Sequence, residues 1–410
     1  NTVYDFGDAF IYLLSRVNSD MTLYINYAQY TWYDHGKQPN KNFFTETTGI
    51  QIVNGIEYDG TTQERAYQIQ TSDQLARVIY LVNSNLSYTN ANGSFFYKDA
   101  FYKIISDAID LETKFWSPIG GYAGTSFDGT IFSGTDDYRT TTHRTIKNIY
   151  MDPYEITLSN GVVISNLAQF ATGIGFIGKS VNGLISNVKL NNVNVVYERE
   201  TSTNIGGYIG YADGARVFNG QITDGTFTLN TESVAGSIIG YADNGSTIFK
   251  VSSNTNFVIN SNNCYVGGLV GNNNGLVNAS YYNGKIVNNN INVVGGLVGY
   301  NNGIINMSYV NANISTASLN NVGVIVGFEK LPSEIINSYF VTGKLDDGVN
   351  PPYSGTNEKP VGSWIEDNED YDIELVGVQD SYKGFNFENI YTMTNNGPVH
   401  FAPVFDYTSA

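Results

Sequence analysis

The sequence predicts an all-β chain wound as a parallel β-helix, a solenoid of about 30 residues per coil with N-terminal capping α-helices and a C-terminal cap. Three observations predict it. A six-residue glycine theme recurs six times, each copy runs into a turn and a β-branched strand, and two stretches of helical apolar spacing precede the repeats. The copies are Gly173-Ile174-Gly175-Phe176-Ile177-Gly178, Ile205-Gly206-Gly207-Tyr208-Ile209-Gly210, Ala235-Gly236-Ser237-Ile238-Ile239-Gly240, Val266-Gly267-Gly268-Leu269-Val270-Gly271, Val294-Gly295-Gly296-Leu297-Val298-Gly299 and Val322-Gly323-Val324-Ile325-Val326-Gly327. Their last glycines stand at 178, 210, 240, 271, 299 and 327, so the steps are 32, 30, 31, 28 and 28. Such a drifting step suits a solenoid whose loops vary in length.

After each theme comes an Asn-Gly or Asp-Gly turn and an alternating strand, as in Asn274-Gly275-Leu276-Val277-Asn278 and Asn302-Gly303-Ile304-Ile305-Asn306. Glycine every few residues and frequent Asn, each costing a helix interior up to about 1 kcal/mol, exclude helical repeats. One unit cannot bury its own apolar face, whereas coils stacked about 4.8 Å apart share one core. The glycines would serve at corners, or where adjacent coils approach with no Cβ between them. Asn at matching positions, Asn278 with Asn306 and Asn273 with Asn301, would bond its counterpart one coil away or hold a left-handed corner.

Ahead of the repeats, Phe6, Ala9, Phe10, Leu13, Leu14 and Val17 fall on one helical face after the candidate cap Asp5. Leu75, Val78, Ile79 and Val82 do the same after the candidate cap Ser72. The two stretches match at an offset of 65, and strands are expected after them at Met21 to Tyr27 and Phe101 to Ser106. The second helix is expected to cover the open end of the solenoid. Leu345 to Pro360 reads as a connector, and the segment with Trp364 and Phe385 to Phe405 as a last rung and a cover. The expected organisation is a helix-plus-strand region at 1–63, a cap with first coils at 64–160, the repeat β-helix at 161–345 and a connector with C-terminal cap at 346–410.

Composition narrows function. The 410 residues include 51 Asn, 43 Gly, 31 Tyr and 22 Phe, too aromatic for a disordered chain. A net charge of -17 with no basic cluster makes nucleic acid an unfit partner. No apolar run reaches the roughly 20 residues of a membrane span, and Asn1 to Asp5 do not read as a signal peptide. One cysteine, Cys264, allows no intrachain disulfide.

The repeats at Val266 to Gly271 and Val294 to Gly299, each followed one residue later by Asn-Asn-Gly, resemble those of bacterial surface and secreted proteins carrying GLUG-type repeats. Such repeats occur in adhesin-like proteins and near the N-terminal regions of some IgA-cleaving metalloproteases. The lead-in is similar as well: Tyr67-Gln68-Ile69, Asp73-Gln74-Leu75, Ile109-Asp110-Leu111, Trp116-Ser117-Pro118-Ile119-Gly120 and Phe127-Asp128-Gly129. So is the close, Gly384-Phe385-Asn386-Phe387, and the resemblance spans roughly 64 to 405. The units at Ala235 and Val322 lack the paired glycine, and residues 1–60 lie outside the pattern. The resemblance implies a right-handed parallel β-helix, a scaffold that leaves function open.

Enzymatic β-helices need carboxylates clustered on one face of consecutive coils. Asp213 and Asp243 stand about one coil apart, but an in-register turn accounts for them as well, and the next coils carry Asn273 and Asn301. Asp107, Asp110 and Asp128 flank Trp116 and read either as a sugar-cleaving cleft or as turn and capping residues, the second being favoured. His35, His143 and His400 are scattered and no HExxH is present. No cofactor is expected. Asp346-Asp347-Gly348 and Asp367-Asn368-Glu369-Asp370 offer the hard oxygens a structural calcium ion needs, although an acidic solvated loop is the plainer reading.

Tyrosine offers contact area with a polar tip, which suits glycan and protein surfaces. The candidate ligand-binding residues are therefore Tyr30, Trp32 and Tyr33, and along the coils Tyr281, Tyr282 and Tyr309, for which half-buried strand packing is the competing role. The expectation is a secreted or cell-surface, non-enzymatic adhesin-like β-helix that binds a host or neighbouring-cell glycan or protein. The alternatives are a carbohydrate-active β-helix enzyme and a structural appendage or phage-virion component.

Overall fold

The computed structural model describes residues 49–112, 115–134, 143–151, 155–157, 163–165, 170, 172–199, 201–341, 345–346, 361–363, 372–373, 385, 387–388, 390–394 and 397–400. The first expected helix, Asp5 to Val17, and the strand Met21 to Tyr27 lie outside them.

Each repeat lays its strands onto four parallel sheets, one strand on each of three and, in most coils, two on the fourth. In one coil, Tyr265–Gly267 enters sheet A, Val270–Asn273 sheet B, Leu276–Asn278 sheet C, and Tyr281–Tyr282 with Lys285–Asn288 sheet D. The sheets hold five, seven, nine and thirteen strands, and every pairing between consecutive coils is parallel and in register. Val266, Leu269, Val270, Val277, Tyr282 and Ile286 from this coil point into one core that runs continuously with those of its neighbours. The expected solenoid is therefore the observed one.

The glycine theme serves close approach. None of the hexad glycines from Gly206 to Gly327 has a positive φ. Instead, a Cβ built on Gly267 would lie 2.0 Å from the Val270 carbonyl oxygen and 2.7 Å from the Gly299 nitrogen, and one on Gly271 2.6 Å from the Ala235 nitrogen. The chain folds from sheet A into sheet B so tightly that backbone meets backbone of the adjacent coils. Only glycine fits that crease, whatever its backbone freedom.

The asparagines divide between two roles. Asn273 donates to Asn301 Oδ1 across one coil at 2.9 Å with both side chains buried, and Asn306 donates to Asn278 Oδ1 at 3.3 Å. The left-handed corner between sheets C and D falls one residue after that second pair. It is held by Asn187, Asn219 and Asn337, but in other coils by Lys250, Ala279 and Met307. Seryl hydroxyls brace the corner: those of Ser280, Ser308 and Ser338 accept from the backbone N–H of Val251, Ser280 and Ser308 in the preceding coil.

Helix α1 (Ser72–Asn83) closes the start. Its cap is Thr71, one residue before the expected Ser72, because Thr71 and Gln74 form a reciprocal capping box. Leu75, Val78, Ile79 and Val82 join the solenoid core beside Tyr67–Ile69, the end strand of sheet C. Asn83 ties the helix to the first coils, donating to Pro118 O at 2.8 Å and accepting from Gly120 N at 2.7 Å. Thr71→Ala removes half the box and is expected to cost about 1 kcal/mol, read as a lower denaturation midpoint with unchanged slope. Of the expected strand Phe101 to Ser106, residues Phe101–Ile104 form it, after the hairpin Ser87–Asn90 and Gly93–Phe96.

At the other end Leu345–Asp346 completes the coil that starts at Val322, and Val361–Ser363 and Asp372–Ile373 pair onto that coil as a last rung. Phe385, Ile390 and Tyr391 then lie along the side of sheet D against Tyr281, Tyr309 and Tyr339, so the described cover sheathes a flank. No helix among the described residues is long and apolar enough to cross a membrane.

Candidate functional site

Sheet B carries one partly exposed row that runs its length: Lys179, Tyr211, Tyr241, Asn272, Tyr300 and Phe328, each in register with the next. Strict stacking of coils puts these residues in line. Tyr211 and Tyr241 stack at 5.3 Å with planes 14° apart, and Tyr300 and Phe328 at 5.1 Å and 11°. Such offset pairs add about 0.5–1.5 kcal/mol each and hold the rings in fixed planes.

The first pair is also pinned by its hydroxyls. Tyr211 donates to Asp243 Oδ2 of the next coil at 3.0 Å, and Asn274 donates to the Tyr241 hydroxyl at 2.9 Å. Asn302 donates to Asn274 Oδ1 at 3.0 Å, extending the polar edge along the turns. The pattern breaks at Asn272. Its side chain stands between the two stacked pairs, and its Oδ1 is covered without a hydrogen-bond partner. Tyr265 of the same coil meets Tyr300 edge-on at 5.7 Å and 88°. The row is thus two aromatic piers with an amide between them, edged by carboxylate and amide groups.

Burial first, and then the hydrogen bond to Asp243, push the Tyr211 phenol up to about 12, since ionising it would set a phenolate against a carboxylate. The unfolded phenol titrates near 10, so this contact stabilises fully below about pH 10 and its contribution disappears as pH rises toward 12. Asp243→Asn is expected to bring Tyr211 ionisation down toward 10. The check is phenolate absorbance during alkaline titration, with Tyr211→Phe identifying the group. A Tyr211 titrating normally in the wild type would contradict the contact.

The sequence candidates distribute unevenly. Tyr30, Trp32 and Tyr33 lie outside the described residues. Tyr281, Tyr282 and Tyr309 are corrected to packing residues, being only 7%, 0% and 2% exposed. Tyr282 fills the core and donates to Thr255 O at 2.6 Å, while Tyr281 and Tyr309 stack at 5.1 Å beneath the C-terminal cover. An aromatic without solvent contact offers a ligand no surface. Asp243 proves to be the acceptor for Tyr211, and Asp213 is exposed on the neighbouring coil.

Asp107, Asp110 and Asp128 each pair with a base, Arg144, Lys147 and Lys98 respectively, and Asp110 also accepts from Asn148 at 2.7 Å. Trp116 is buried, stacked on Phe176 at 5.0 Å, and donates to Phe176 O at 3.0 Å. His143 lies at 2.8 Å from Asn219 O, and burial pushes its pKa down. Cys264 is buried and its thiol pushed up by that burial. Among the described residues no three or more His, Cys, Asp or Glu side chains are grouped to hold a metal ion. The candidate calcium loops, Asp346 apart, lie outside those residues. The sequence analysis does not single out the sheet B row, because at these turns the carboxylates Asp213 and Asp243 draw the chemical argument and Tyr211 and Tyr241 stand two residues before them. Their signal was there in the sequence, a Tyr-Ala-Asp repeated one coil apart.

Comparison with known proteins bears on the fold. No family model matches the chain, and no curated protein matches it. Among solved structures, a crystal structure of a "putative immunoglobulin A1 protease" from Bacteroides ovatus is similar with a TM-score of 0.53 at 17% identity, over 85% of this chain and 95% of that one. A second, an IgA1 protease, matches with a TM-score of 0.43 at 14% identity, over 87% of this chain but 28% of its own. The first supports the β-solenoid fold. That first structure carries the name of an enzyme, so the expectation of a non-enzymatic chain is withdrawn.

Proposed function

We propose that this chain is an extracellular β-helix of the GLUG-repeat, adhesin-like type whose sheet B face holds a glycan or protein partner on a host or neighbouring cell. The observation that carries the reading is the row Tyr211, Tyr241, Asn272, Tyr300 and Phe328, partly exposed and in register from coil to coil. Stacked coils hold those side chains at fixed spacing before a partner arrives, so little conformational entropy is lost on binding. A surface rich in tyrosine and amide groups, with two net-acidic turns beside it, supplies apolar contact area and hydrogen bonds together. The extracellular setting is supported by the protease-named structure that shares the fold.

The test is binding of the purified chain to arrayed glycans and to whole cells, beside a Tyr211→Ser, Tyr241→Ser double variant. Binding that falls at least tenfold in the variant, about 1.4 kcal/mol, with the circular dichroism of the fold retained, is the expected result. Blank arrays and cells, or binding indifferent to the two substitutions, would contradict it. The same preparation incubated with immunoglobulin A1 reads whether hydrolysis accompanies binding.

A further inference from the structure

We infer that the partner of sheet B is sheet B of a second copy of this chain, laid face to face with the two solenoids antiparallel and a two-fold axis at the Asn272 rung. The inference deepens the proposed function and rests on sheet B being the binding face; it names the neighbouring-cell protein as the same protein. The row is symmetric about Asn272. Outward from it stand Tyr241 and Tyr211 on one side and Tyr300 and Phe328 on the other, so aromatic answers aromatic at equal distance. A second row runs beside the first, two residues along each strand and so on the same face of the pleat: Asp213, Asp243, Asn274, Asn302 and Lys330. About Asn274, Asp243 answers Asn302 and Asp213 answers Lys330, which makes this row complementary to its own reverse. Asp213 and Lys330 are exposed, and among the described residues neither side chain is ion-paired or hydrogen-bonded.

Such a face fits a two-fold axis, which sets each residue against its counterpart twice. With the axis along the strand direction at Asn272, Tyr211 lies over Phe328, Tyr241 over Tyr300, Asp243 over Asn302 and Asp213 over Lys330. Facing sheets about 10 Å apart bring these side chains into contact. Other arrangements oppose like charges. An axis moved one rung, to Tyr241, sets Asp243 on itself, and an axis along the solenoid gathers Asp213 and Asp243 of both copies at one end. The face spans six rungs from Lys179 to Phe328 and five residues of a strand, about 29 by 17 Å. One pair therefore buries about 1,000 Å², below the roughly 1,200 Å² of a stable complex. Single pairs are weak, and many pairs between two surfaces are strong. A net charge of -17 on each copy repels at long range, but at about 0.15 M salt the Debye length is about 8 Å, so the touching Asp213 and Lys330 pairs still act. Copies anchored by the same end on facing surfaces meet antiparallel.

The experiment is clustering of beads coated with the full chain, at about 0.15 M salt, comparing wild type, Asp213→Lys, Lys330→Asp and the variant carrying both changes. Wild-type beads are expected to cluster. Beads of either single variant are expected to cluster at least about tenfold less, because like charges then meet at both ends of the face. Mixing the two single variants is expected to restore clustering, since the Lys330 of one faces the unchanged Asp213 of the other and the new lysine faces the new aspartate. The double variant is expected to cluster with itself and not with wild type, and it decides the matter should a single variant fail to fold; melting temperatures report the fold. Clustering indifferent to these charges, or no recovery in the mixture and in the double variant, overturns the pairing. If wild-type beads stay dispersed while cells or glycans bind through Tyr211 and Tyr241, the self-pairing falls and the sheet B face stands. Dispersed beads together with blank cells and arrays overturn both.

Discussion

Gly271→Val is expected to abolish the native solenoid. A Cβ at this position meets the Ala235 nitrogen at 2.6 Å and the Gly240 oxygen at 2.7 Å, both backbone atoms of the preceding coil. Those atoms cannot retreat, because the strands that hold them are hydrogen-bonded to coils on either side. Overpacking against flexible side chains costs about 1–3 kcal/mol, and a rigid backbone leaves no cheap relaxation. A loss of about 3 kcal/mol or more is therefore expected, seen as loss of the cooperative unfolding transition. Gly55→Ala supplies the contrast. Its φ is +79° with nothing within 4 Å of the added carbon, so only the conformational cost of about 1 kcal/mol applies. If the two substitutions cost the same, close approach is not the reason for the glycine theme.

The second large effect is expected at Trp116, which links two coils by stacking on Phe176 at 5.0 Å and donating to its carbonyl at 3.0 Å. Trp116→Ala leaves a cavity and removes one of two donors to the Phe176 carbonyl, which keeps the Ile119 N–H at 3.1 Å, and about 3–5 kcal/mol should be lost, mostly through the cavity. Trp116→Phe keeps a ring for the stack and loses the donor, so about 1–2 kcal/mol is expected. Denaturant titration measures both. Equal losses would show that the indole N–H, and not the ring, carries the contribution.

What could be read from the chain alone follows from what a repeat encodes. Gly267, Gly271, Gly295 and Gly299 recur because every coil meets the same crease, so the period and the core residues Val266, Leu269 and Val270 were plain. The crease itself was not, since a glycine held for closeness and a glycine held for positive φ look alike in a sequence. Tyr281 and Tyr309 are not surface residues because their cover comes from Phe385 and Tyr391, remote in sequence and without periodic relation to the coils. Trp116 and the three aspartates around it followed the structural alternative: their partners Arg144, Lys147 and Lys98 lie in neighbouring coils. The sheet B row is a property of register. Tyr211, Tyr241, Tyr300 and Phe328 become one surface only when the coils align without slippage.

Alignment of that row is what a pair of spin labels measures most directly. With Cys264→Ser as background, Lys179→Cys is combined in turn with Tyr300→Cys and Phe328→Cys, and the distances are read by pulsed electron resonance. Four and five coil spacings predict narrow distributions near about 19 and about 24 Å, differing by about one strand spacing. Broad distributions, or two distances that do not grow with the number of intervening coils, would contradict the stacked row and the binding face built on it.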